Sequence, residues 1–182
     1  MTNYPCHCRR QFLVRGAAAV LGAFSLPGCG ERTGAAQALT PGEIEAGTSC
    51  ELDGMLLADY PGPKAQVHYA GQTAPVFFCD TVELFNTLLQ PEQVRKADAV
   101  FVQDMALANW NQPQGHWIDA RTALYVLGSK RHGSMGPTLA SFAQAADAQL
   151  FIQQWGGRQL RFDEVRPEMV DLSGGGLHDA KM

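Results

Sequence analysis

Sulfur is the chemistry this chain is best equipped for. From Cys50 onward it occurs at Cys50, Met55, Cys79, Met105, Met135, Met169 and Met182. Thiolate and thioether donors are polarisable and select a cuprous ion over harder cations. Cys50 and Met55 lie in Cys50-Glu51-Leu52-Asp53-Gly54-Met55, where Gly54 lets the backbone turn both sulfurs toward one point. Met135 stands in Gly133-Ser134-Met135-Gly136-Pro137, a turn that can swing a thioether into a site or into a gap in the core. Met55 precedes Leu56 and Leu57, so the core is its plainer place. His116, at a strand start, and His132, in the loop before Met135, are candidate nitrogen donors; an exposed loop histidine is the plainer reading of each. His68 alternates with Val67 and Tyr69 and reads as an exposed strand position, and His178 lies in the tail.

Cys50 and Cys79 admit other chemistry. Outside the cytoplasm two thiols default to a disulfide. With Asp53 or Asp80 they also make a thiol–carboxylate site, so a thiol-dependent enzyme is the second reading. Other reaction classes fit poorly. The chain has no phosphate-binding glycine loop and no H-E-x-x-H pair, and Ser134 lacks the G-x-S-x-G frame. Asp163-Glu164 reads as a solvated helix start.

The first thirty residues say where this chemistry operates. Arg9-Arg10-Gln11-Phe12-Leu13 precedes an uncharged segment, Gly16 to Pro27, that ends in Leu26-Pro27-Gly28-Cys29. That is the layout of a twin-arginine export signal closing on a lipid-attachment box. The segment is shorter than the roughly 20 apolar residues a membrane span needs. Residues 1–28 are therefore read as a lipoprotein export signal, with Cys29 as the lipidation site and the periplasm as destination. Gly30, rather than aspartate, follows Cys29 and suits the outer membrane. Cys6 and Cys8 would leave with the signal. Arg9, Arg10 and Arg15 lie within it and no acidic residue does, so the mature part is more acidic than the whole-chain charge of −4. An acidic chain without a basic patch argues against nucleic acid as a partner.

The remaining chain supplies the elements that must position the donors. Residues 29–47 are small and polar and read as a flexible tether. Gln66–Tyr69 and Pro75–Phe78 flank Ala70-Gly71-Gln72-Thr73 as a β-hairpin. Asp80 and Glu83 have capping-box spacing before a helix with Val82, Phe85, Leu88 and Leu89 on one face, and Pro91 ends it. Ala99–Val102 reads as a buried strand. The order then repeats. His116-Trp117-Ile118 is a short strand, and Ala123–Leu127 a strand or helix. Ser141 with Gln144 forms a second capping box, and Phe142, Ala145, Ala146, Leu150 and Phe151 give the apolar face of a helix that Gly156-Gly157 stops. Arg158–Phe162 is the closing strand. The expected fold is α+β: two related β-β-α-β lobes packed together, over residues 48–104 and 105–172, with a disordered tail at 173–182.

Several segments together resemble the NosL family of lipoprotein copper chaperones serving nitrous-oxide reductase. They are Cys50-Glu51-Leu52-Asp53-Gly54-Met55, Tyr60-Pro61-Gly62-Pro63-Lys64-Ala65-Gln66, Phe77-Phe78-Cys79, Val102-Gln103-Asp104-Met105, Gly115-His116-Trp117-Ile118-Asp119-Ala120 and Met135-Gly136-Pro137-Thr138-Leu139-Ala140-Ser141-Phe142. The resemblance runs from about Thr48 to Phe162. It implies two β-β-α-β lobes and a delivery protein rather than an enzyme. The cargo would be a cuprous ion, carried to nitrous-oxide reductase and its membrane assembly machinery for the copper–sulfide centre. It also implies copper ligands at Cys50 and Met135, with Met55 as a third, and Cys79 and His116 as further candidates. Asp53 stands where the family pattern Cys-x-x-Cys-Gly-Met has its second cysteine, and puts a harder donor there. The distant organomercurial lyases, similar in fold, give the enzyme reading its concrete form: protonolysis of a carbon–metal bond.

Overall fold

The structure is a computed structural model that describes residues 39–172. The export signal, Cys6, Cys8, Cys29, His178, Met182 and the tail lie outside the described residues. Among the described residues no helix is long and apolar enough to cross a membrane.

The first half begins with the predicted hairpin, β1 (Ala65–Tyr69) and β2 (Val76–Phe78), which turns through Gly71 at φ 79°. Strand periodicity sends Ala65, Val67 and Tyr69 into the main core. The alternate residues Gln66 and His68 are buried on the other face, so His68 is not the exposed position its alternation predicts. Its ring meets Phe101 edge-to-face at 5.8 Å. Gln66 is covered because its side-chain amide bonds both the N–H and the carbonyl of Gly42, at 2.7 and 2.9 Å. Part of the stretch read as tether is thus held on the domain.

Helix α1 (Thr81–Leu89) starts at Asp80, whose side chain accepts from Val82 N at 2.9 Å. Gln90 closes it ahead of Pro91. Strand β3 (Ala97–Gln103) then returns antiparallel to β1, with Ala65 opposite Val102. The next strand, β4 (Trp117–Asp119), pairs with β3. The pattern reads this strand as the opening of the second repeat, yet it completes the first sheet, in the order β2-β1-β3-β4.

The second half runs β-β-β-β-α-β. Ala123–Leu127, ambiguous in sequence, contains strand β5 (Leu124–Leu127). A two-strand hairpin, β6 (His132–Gly133) and β7 (Gly136–Pro137), carries Ser134 and Met135 at its turn. Strand β8 (Ala140–Phe142), helix α2 (Ala145–Trp155) and strand β9 (Arg158–Arg161) follow, and the sheet order is β8-β5-β9. Each half therefore places its first long strand between two antiparallel neighbours.

The expected second capping box does not form. Ser141 lies in β8 and donates to Gln103 O at 2.6 Å, while Gln144 caps α2 without a side-chain bond. The buried face of α2 accordingly runs through Ala148 and Phe151, with Ile152 and Trp155 beside them, and Leu150 points to solvent. Gly156, at φ 75°, ends the helix.

The two halves share one core. Phe85 of α1 packs edge-to-face on Tyr125 of β5 with ring centroids 4.9 Å apart, and touches Phe162 at 5.1 Å. The buried Tyr125 hydroxyl is satisfied by Ala120 O at 2.6 Å. This junction matters to function because it sets the Met135 hairpin beside the first turn of α1.

Candidate metal centre

Cys50 is fixed from both sides. A bridge pairs it in parallel with Phe77, and Glu51 N donates to Phe77 O at 2.8 Å. The chain then reverses in a tight loop. Cys50 N donates to Met55 O at 2.8 Å, Gly54 N to Cys50 O at 3.0 Å, and Met55 N to Asp53 Oδ1 at 2.9 Å. Gly54 takes φ 77°, the left-handed conformation this reversal requires. Cys79 closes β2 immediately ahead of the α1 cap, so two short-range structures bring both thiols to one point. Both are free and buried rather than joined as a disulfide.

Glu83 completes the cluster. Its Oε2 accepts from Cys50 Sγ at 3.1 Å, Cys79 Sγ at 3.0 Å and Cys79 N at 3.1 Å. The capping-box spacing signals a real helix start. The carboxylate, however, returns to the peptide of Cys79 and to the two sulfurs, not to the Asp80 peptide. Its Oε1 is buried without a hydrogen-bond partner. One donor atom from each of Cys50, Asp53, Cys79 and Glu83 lies within 4.8 Å of all the others. Met135 packs from the second half onto the small cluster of Cys50, Leu57 and Cys79, with Ile44 and Phe77 beside it.

The surroundings set the electrostatics. Lys64 is fully buried, and its Nζ donates to Pro61 O at 3.0 Å and Cys79 O at 2.9 Å. Burial lowers its pKa, against the attraction of Asp80, Cys79, Glu83 and Cys50. The hydrogen bond from Cys79 pulls the Cys50 thiol down to about 6, with burial opposing. Cys79 is pushed up by the same bond, by burial and by the charge of Glu83. The pair thus holds its first thiolate at Cys50 and resists losing the second proton. Burial raises Glu83 to about 8 and raises Asp80 as well. Burial thus keeps protons on Cys79 and Glu83, and a cation bound between these donors would displace them.

The other candidates are placed differently. His116 is exposed at the foot of β4 with φ 54°, and its carbonyl accepts Asp104 N at 2.8 Å; it is not in the donor group. His132 is exposed in β6. Met55 is half-buried and closes the Cys50 loop through its backbone. Met105 belongs to the α2 core, and Met169 packs against the main core. Glu83 and Lys64 were not legible as site residues. The signal for Glu83 was its place in the first turn of the helix that starts just after Cys79.

Two thiols, two carboxylates and an adjoining thioether, where the two halves meet, make the kind of site expected of a protein that binds a soft metal ion. The comparisons agree. The NosL family model matches residues 41–170. The copper-binding lipoprotein NosL of Stutzerimonas stutzeri is 41% identical over 167 residues, covering 88% of this chain and 86% of that protein. Its namesake in Achromobacter cycloclastes is 36% identical over 166 residues, covering 89% and 83%. The crystal structure of the copper chaperone NosL from Shewanella denitrificans superposes with a TM-score of 0.67 at 41% identity, covering 72% of this chain and 97% of that one. The chain belongs to the NosL family.

Proposed function

We propose that this protein binds a cuprous ion and delivers it for assembly of the copper–sulfide centre of nitrous-oxide reductase, tethered outside the cytoplasm by a lipid on Cys29. The observation that carries the reading is the packing of half-buried Met135 against the buried pair Cys50 and Cys79. Sulfur donors of both kinds suit monovalent copper better than any hard cation. Cys50, whose thiolate forms most readily, is the anchoring ligand. Cys79 is the second sulfur, and Met135 is the neutral ligand that leaves first. Met55 stands as a reserve ligand at the loop end. The relatives named as copper-binding proteins and a copper chaperone support copper as the cargo rather than as a catalytic cofactor.

Delivery follows from the site's asymmetry. The Cys50–Met55 loop carries exposed Leu52 and Asp53, whereas Cys79, Glu83 and Lys64 are buried behind it. An acceptor ligand therefore approaches over the loop, adds to the ion, and displaces the thioether before either thiolate lets go. Outer-membrane anchoring would place this exchange in the periplasm.

The test is competition for cuprous ion between the reduced protein and a chromogenic chelator. Cys50→Ser is expected to abolish binding and Met135→Ala to weaken it. Unchanged competition in both variants overturns the reading.

A further inference from the structure

The carboxylate of Asp80 lies outside the thiol cluster, yet it is wholly buried and holds the Met135 turn. Its Oδ1 caps α1 at Val82 N, at 2.9 Å, and also accepts the Thr138 hydroxyl at 2.7 Å. The Ser134 hydroxyl reaches Oδ2 at 3.4 Å. Gly133 passes so close that a Cβ there would overlap Oδ2. The residues gathered on this one group flank Met135 on both sides. Ser134 also bonds Cys79 O, the carbonyl that Lys64 Nζ holds at 2.9 Å, so the turn is tied to the peptide that carries a thiol.

A methionine side chain has three free torsions, and its sulfur goes where the backbone beneath it is held. We propose that Asp80 is a positioning residue for copper, fixing the Met135 thioether over the thiol pair and acting through Met135 rather than on the ion. The inference rests on the reading of Met135 as a ligand. Hydrogen bonds to a carboxylate are about twice as strong as neutral ones, and outer partners of metal ligands commonly change affinity about 10–100-fold.

The experiment is a double-mutant cycle on the full chain, reduced and titrated with cuprous ion against a chromogenic chelator, with sulfur ligands counted by X-ray absorption. Asp80→Asn keeps an N-cap side chain for α1. It is expected to weaken copper about tenfold or more and to remove one sulfur from the count. In a Met135→Ala background the same change is expected to do nothing further. Thr138→Val, which removes the bond to Asp80 and a 3.3 Å contact with the Thr81 hydroxyl, gives a smaller loss that also vanishes without Met135, and carries the test if Asp80→Asn does not fold. Unchanged affinity and sulfur count in both Asp80→Asn and Thr138→Val overturn the proposal, as does an equal loss with and without Met135. If Met135→Ala alone leaves affinity unchanged, it is the ligand reading itself that fails.

Discussion

The Thr138 hydroxyl donates to the buried carboxylate of Asp80 across 2.7 Å of space and 58 residues of chain. This bond joins the cap of α1 to the chain just after the Met135 hairpin. It explains how a thioether late in the sequence comes to rest against a thiol early in it.

Gly133 has no room for a side chain. A Cβ there would overlap the Asp80 carboxylate and lie 3.0 Å from Thr138 Cβ. Gly133→Ala is therefore expected to cost about 1–3 kcal/mol of stability, as overpacking does, read by urea denaturation. A variant as stable as the parent contradicts the close approach.

Phe85 ties the halves together through Tyr125 and Phe162. Phe85→Ala is expected to cost about 3–5 kcal/mol. Far-ultraviolet circular dichroism and tryptophan fluorescence should still report one coincident transition, because the core is shared. Two separated transitions would show halves that unfold independently.

Glu83 gives the apo protein a distinct pH dependence. Its carboxyl is raised from 4.5 to about 8 in the folded state, so the folded state holds this proton more tightly than the unfolded one. The contribution to stability is full below pH 4.5 and is lost as pH rises toward 8. Cys50, lowered from 9.0 to about 6, acts with the opposite sign and adds stability as pH rises from 6 to 9. Between pH 4.5 and 6 the Glu83 contribution is therefore free of the Cys50 one. Glu83→Gln should lessen the decline in stability there, measured by denaturation across that range. Identical slopes in parent and variant contradict the assignment.

The thiols should react unequally. Cys50 forms the readier thiolate and sits on a loop with exposed neighbours, whereas Cys79 is held protonated and fully buried. Iodoacetamide at neutral pH is expected to label Cys50 first, and an equivalent of cuprous ion to suppress that labelling. Mass spectrometry of the labelled peptides checks both points, and equal labelling of Cys79 contradicts them.

Local chemistry was the part of this fold most legible in sequence. Gly71, Asp80, Pro91 and Gly156 each act through a preference that needs only near neighbours, and the hairpin and both helices follow from them. Long-range partnership was harder to read. Nothing in Trp117-Ile118-Asp119 states that its partner is β3, so its place at the edge of the first sheet emerged only in three dimensions. Ser141 has capping-box spacing to Gln144, yet Gln103 O across the interface takes its hydroxyl. His68 alternates with apolar residues as an exposed position would, but Phe101 covers it. The site divides in the same way. Cys50, Cys79 and Met135 stood out by donor type, while Glu83 was hidden behind a second, equally local role in starting a helix.

The most direct test of the central claim is X-ray absorption at the copper edge on the cuprous-loaded protein, parent against Met135→Ala. If sulfur from the early loop and sulfur from the late turn grip the same ion, the variant loses one sulfur neighbour and keeps the thiolate shell. An unchanged sulfur shell in the variant, with copper still bound, would contradict the account.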